Sequence, residues 1–247
     1  MNPRRQQILH EMRLGPLWKL RAPPVAPAAT ELPAEATHSA AAQASADNTT
    51  NTHVASIAMP MGWDELAATV AACRQCRLCE ARKQAVLGVG DRRADWLFVG
   101  EGPGAEEDER GEPFVGQAGQ LLDNMLASID LQRGRDVYIS NAVKCRPPGN
   151  RTPDHDEIAA CRPYLVQQIA LIQPKLIVAM GRPAAQTLLQ AEVKISAARG
   201  KLHDYEGMPV IVTYHPAYLL RNLPDKAKAW EDLCFMRRTM RQLKANQ

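Results

Sequence analysis

The chain has 247 residues, 45% of them hydrophobic and 23% charged, with a net charge of +3. That is ample material for one globular domain with appendages, and the weak positive balance permits nucleic-acid contact without requiring it. No run approaches the roughly 18 apolar residues of a membrane span, and the first residues lack the apolar stretch of a secretion signal, so the expected compartment is the cytoplasm.

Residues 1–21 carry Ile8, Leu9 and Met12 at helical spacing, interrupted by Gly15-Pro16 and interleaved with Arg4, Arg5, Arg13, Lys19 and Arg21. They read either as a short basic amphipathic helix or as a fraying tail. Residues 22–60 are Ala, Pro, Thr, Ser and Asn with almost no large apolar side chains, which predicts a disordered linker. Residues 61–247 form the folded domain. A helix capped at Asp64 carries Leu66 and Val70, and Leu87 to Asp91 leads into a strand over 95–99. Further strands are expected at 137–141, 175–180 and 210–213, alternating with helices at 117–129, 154–172, 184–190 and 226–243. Apolar strands separated by helices predict an α/β fold, a three-layer α/β/α domain around a mainly parallel four-stranded sheet.

The segment Gly100-Glu101-Gly102-Pro103-Gly104 follows the first apolar strand and is trailed by Glu106, Glu107 and Asp108. A glycine-rich loop at the carboxyl edge of such a sheet is where open α/β folds bind ligands. Its acids suit water orientation or stabilisation of a developing cation, and a phosphate loop is excluded because the acids repel phosphate and no G-x4-G-K-[ST] is present. Six cysteines, Cys73, Cys76, Cys79, Cys145, Cys161 and Cys234, stand in a chain without a secretion signal. Cys73 and Cys76 form a C-x2-C pair, and thiolates from two separated segments could hold zinc or an iron-sulfur cluster.

Several motifs agree in order and spacing: Gly100 to Gly104, Pro113-Phe114-Val115-Gly116, Asn141 to Pro148 with Lys144-Cys145-Arg146 inside it, Asn150 to Pro153, and His215-Pro216-Ala217-Tyr218-Leu219-Leu220-Arg221. Together they resemble the family 4 uracil-DNA glycosylases, the iron-sulfur enzymes of base-excision repair, over about residues 73–243. The resemblance implies hydrolysis of the bond between uracil and deoxyribose after the base is flipped out of the helix. It implies a [4Fe-4S] cluster on Cys73, Cys76, Cys145 and Cys161, leaving Cys79 and Cys234 spare. Uracil would meet Gly100, Glu101 and Gly102, stack on Phe114, be read by Asn141 and give its O2 to His215. Glu101 and Glu107 are the acids expected to act on water, with Asp108 behind them. Tyr218, Leu219, Leu220 and Arg221 would enter the DNA, and Lys144, with Arg146, Arg151, Arg199 and Lys201, would meet phosphates. Uracil-containing DNA is the expected partner, the N-terminal segment would dock on a repair or replication protein, and a monomer is expected. The rival reading is a non-catalytic nucleic-acid-binding module stapled by a metal or cluster; it gives no reason to combine Phe114, Asn141 and His215.

Overall fold

A computed structural model describes residues 61–245, so the expectations for 1–21 and 22–60 lie outside the described residues. In chain order the elements are α1 (Trp63–Ala72), α2 (Leu78–Ala81), β1 (Val89–Gly90), β2 (Trp96–Gly100), α3 (Ala105–Arg110), α4 (Gln117–Ala127) and β3 (Val137–Asn141). They continue as α5 (His155–Ile172), β4 (Leu176–Met180), α6 (Arg182–Leu189), α7 (Ile195–Ala198), β5 (Leu202–Tyr205), β6 (Met208–Thr213), α8 (Pro216–Arg221) and α9 (Lys226–Ala245). Among the described residues no helix is long and apolar enough to cross a membrane.

The sheet has six strands in the order β1-β3-β2-β4-β6-β5, which corrects the expected four. The inner four are the strands read from apolar runs, and they pair in parallel. β1 and β5 add antiparallel edges, making the sheet mixed. Neither has a long apolar run: β1 has two residues, and β5 is Leu-His-Asp-Tyr with three of its side chains partly or fully exposed.

Alternation along β2 builds the layers. Trp96 and Phe98 face a cluster with Leu122, Leu126, Leu233 and Met236 from α4 and α9, whereas Leu97 and Val99 face Leu165, Ile169, Ala184 and Leu188 from α5 and α6. Both faces are covered, which is why the inner strands read as continuous apolar runs. A third, smaller cluster sets Leu66, Val70 and Leu78 against Val143, Cys145, Cys161 and Tyr164. It docks the cysteine-bearing N-terminal segment on the loop after β3 and on α5.

The four inner strands run the same way, so Gly100, Asn141, Met180 and Thr213 end at one edge of the sheet. Gly100 and Asn141 are direct partners across β2 and β3.

Candidate active site

The chain segments leaving that edge enclose a cavity of about 800 Å³, within the roughly 300–1,000 Å³ of small-molecule sites. Its walls come from Glu101 to Gly104, Phe114, Thr152, Gly181-Arg182, Tyr214, His215, Ala217, Tyr218 and Arg221. The glycine-rich segment therefore lines this cavity.

Phe114 sits in a backbone conformation that few side chains adopt, with φ 57°. Two features hold it there. Arg133 donates to the carbonyls of Pro113 at 2.8 Å and Phe114 at 2.7 Å while pairing with Asp123. Gly119 lets α4 pass close behind, since a Cβ there would stand 1.8 Å from the Phe114 carbonyl oxygen. The ring lies 5.4 Å from the His215 ring, tilted by 30°.

Gly100 brings Phe114 and Asn141 together. A Cβ on it would come within 2.5 Å of both the Phe114 Cζ and the Asn141 Oδ1. Asn141 is 2% exposed and does not itself line the cavity, but its Oδ1 lies beside the Phe114 ring and has no hydrogen-bond partner. Buried acceptors without partners are uncommon and costly, so one beside a ring of the cavity wall marks a place for a donor.

His215 shows the complementary feature. It caps α8, its Nδ1 accepting the Ala217 N–H at 3.2 Å, which leaves the ring proton on Nε2. Nε2 is buried without a partner. Burial first, and then the charge of Arg221, pushes the imidazole down to about 4, against the pull of Glu107. The ring is a neutral donor across the ordinary pH range.

The acids divide. Glu107 lines the cavity, but its Oε2 accepts the Gly104 N–H at 3.0 Å and its Oε1 those of Val115 and Gly116 at 2.9 and 3.1 Å. Those bonds make it a brace between the glycine-rich loop and the Phe114 segment, at the cavity where the water-activating role was expected of it. Asp108 is buried away from the cavity and accepts from the N–H of Lys83. Glu101 remains. Burial raises its carboxyl above the ordinary 4.5, opposed by Thr152, Arg182 and Arg221.

The expected DNA contacts divide too. Arg221 is exposed at the cavity and Tyr218 lines it, stacked on Tyr214 at 5.2 Å with its hydroxyl donating to Asp225. Leu219 is 1% exposed and belongs to the core, because the periodicity of α8 turns it inward; the exposed apolar side chains nearby are Leu220 and, at 62%, Leu223. Lys144 is 1% exposed and folds back beneath β3, so it does not reach a phosphate. Arg199 is engaged with Asp232 and Glu231, and Arg151 with Glu157. Arg182, missed in the sequence, is exposed on the first turn of α6 and lines the cavity. Its signal was positional, since it follows the end of β4 just as Glu101 follows β2.

Cys73, Cys76, Cys79, Cys145 and Cys161 line one small cavity on the other side of the loop after β3. Arg82 donates to the Cys145 Sγ at 2.8 Å and the Lys144 N–H to the Cys161 Sγ at 3.2 Å. Among the described residues no three side chains converge on a single metal-ion position. Soft sulfur donors with N–H groups aimed at them nonetheless fit the chemistry of an iron-sulfur cluster. Cys234 lies elsewhere, on α9.

The sequence profile of the uracil DNA glycosylase superfamily matches residues 87–234. A type-4 uracil-DNA glycosylase of Archaeoglobus fulgidus is 47% identical over 165 residues, covering 64% of this chain and 82% of that protein. One of Thermotoga maritima is 48% identical over 158 residues (63% and 82%), and one of Pyrobaculum aerophilum 42% over 170 residues (65% and 86%). The matched span contains the cavity and every motif that builds it, and the chain belongs to the uracil DNA glycosylase superfamily.

Proposed function

We propose that the chain is a uracil-DNA glycosylase that hydrolyses the N-glycosidic bond of uracil in DNA and so opens base-excision repair. The observation that carries this reading is the pair of orphaned polar atoms beside Phe114: an acceptor, Asn141 Oδ1, and a donor, His215 Nε2. Uracil is their complement. Its N3–H supplies the donor that Asn141 lacks, its O4 accepts from the Asn141 amide, and its O2 accepts from His215. Cytosine has no N3–H and presents an amino group where uracil has O4, leaving the amide mismatched.

The base reaches this cavity only outside the helix. Phe114 stacks on it. As the bond to the sugar breaks, negative charge grows on the departing base, and the His215 N–H meets it with a dipole already in place. Glu101 orients the attacking water at C1′, stabilises the cationic sugar and takes up the water proton. Arg221 and Arg182 contact phosphates on either side of the flipped nucleotide. Leu220 and Leu223 take the wedge role expected of Leu219, filling the vacated stack.

Cys73, Cys76, Cys145 and Cys161 hold a [4Fe-4S] cluster in this reading, which staples the α1 segment to the loop after β3. A binding module without catalysis gains nothing from a neutral histidine whose buried Nε2 stands unpartnered in a cavity wall, so the enzyme reading is favoured.

The direct test is alkaline cleavage of a uracil-containing oligonucleotide after incubation with anaerobically purified protein. Cuts at uracil and not at cytosine or thymine are expected; an intact strand with folded, iron-loaded protein sinks the proposal.

The pH dependence follows from the two shifted groups. Glu101 must be ionised to act, and its carboxyl is raised, so the rate falls as pH drops through a value above 4.5. His215 stays neutral down to about 4 and gives no inflection at its ordinary 6.5. Single-turnover rates of Glu101→Gln are expected to be lower by at least about tenfold and to lose this acid limb. A limb that persists in the variant assigns it to another group.

A further inference from the structure

Lys144 is unused by the function above and is unusual in its setting. It is among the largest fully buried side chains described, and its ammonium donates to three neutral oxygens: Ser140 Oγ at 2.6 Å, the Asn141 carbonyl at 2.8 Å and Gln168 Oε1 at 2.6 Å. Ser140 and Gln168 are themselves fully buried, and Gln168 is anchored by donating to the Leu87 carbonyl and the Tyr138 hydroxyl. Among the described residues no carboxylate bonds this ammonium. A buried cation is tolerated when an opposite charge lies near. The Lys144 backbone N–H donates to the Cys161 Sγ at 3.2 Å.

Lys144 thus stands between two places. Behind it is the thiol-lined cavity; in front of it is the peptide of Asn141. The carbonyl it grips is that of the residue whose side chain carries the orphaned acceptor. The next amides, Ala142 and Val143, bond to the carbonyls of Gly100 and Glu101 at 2.9 and 3.1 Å. The turn that Lys144 closes therefore sets where the Asn141 amide sits against the glycine-rich loop.

We propose that Lys144 is a positioning residue: its ammonium, held by Ser140 and Gln168, locks the Asn141 peptide and with it the amide that selects the base. The inference rests on the uracil reading of the cavity, and it assigns Lys144 no contact with substrate.

The test compares wild type, Lys144→Met and Gln168→Met, all purified anaerobically. Four quantities are measured: iron per chain, cooperative melting, affinity for free uracil, and affinity for a duplex holding an abasic-site analogue. Lys144→Met is expected to lose at least tenfold in uracil affinity and in excision rate, with the abasic duplex bound within threefold of wild type. A general structural role lowers both affinities together. If Lys144→Met loses iron or fails to fold, Gln168→Met decides, because Gln168 makes no hydrogen bond to a cysteine. It is expected to keep its iron and lose severalfold in uracil affinity alone. Uracil affinity equal to wild type in a folded, iron-loaded variant overturns the inference. Wild-type protein that neither binds uracil nor excises it overturns the glycosylase reading instead.

Discussion

Replacing His215 with alanine is expected to slow uracil excision by about 100- to 1,000-fold, the loss of one pre-placed donor to a developing oxyanion. The direction follows from the ring's state. Its Nδ1 is occupied as an acceptor, its Nε2 carries the proton, and burial keeps it neutral, so it gives a hydrogen bond without a proton transfer. Such a donor matters most when charge has built up on the base, so affinity for abasic product should change little. Because His215 also caps α8, the alanine variant loses about 1 kcal/mol of stability. His215→Asn retains an acceptor for the Ala217 N–H and separates the two effects. Single-turnover rates beside product affinity provide the check, and equal losses in both would show that His215 only binds.

Asn141→Asp is the second large effect. The carboxylate keeps an acceptor for uracil N3–H but replaces the donor to O4 with a negative oxygen, and it does so at a position 2% exposed. Uracil O4 then faces repulsion where it had a hydrogen bond, and polar sites of this kind reject a mismatched partner by several kcal/mol. Excision of uracil is expected to fall by roughly a thousandfold. Selectivity over cytosine should shrink as well, because a carboxylate accepts from the cytosine amino group. Competition between uracil- and cytosine-containing strands measures this, and unchanged selectivity would remove Asn141 from its reading role.

The inner sheet was legible in the sequence because each of its strands is apolar on both faces, as burial between two helical layers demands. The edges were not, since β1 has only two residues and β5 exposes polar side chains. At the site, the motif residues Gly100, Phe114, Asn141 and His215 were legible as a set. What each neighbouring side chain does depended on its direction. Lys144 follows β3 in a loop-like stretch, and composition cannot tell a loop lysine that reaches outward from one that folds back on its own strand. Leu219 and Leu220 are adjacent in sequence, yet the turn of α8 buries the first and exposes the second. The bracing bonds of Glu107 were available to the sequence: it lies three residues after Gly104, the place where a carboxylate closes on a helix's first free N–H.

The site draws on the ends of four parallel strands that are far apart in the chain, from Gly100 to His215. No single hairpin or helix pair contains a usable part of it. Truncating the domain anywhere between these points therefore abolishes recognition outright rather than weakening it by stages. A chain still emerging or partly folded holds neither the amide nor the histidine in place, and is unable to capture a base from the helix before it is able to finish the reaction.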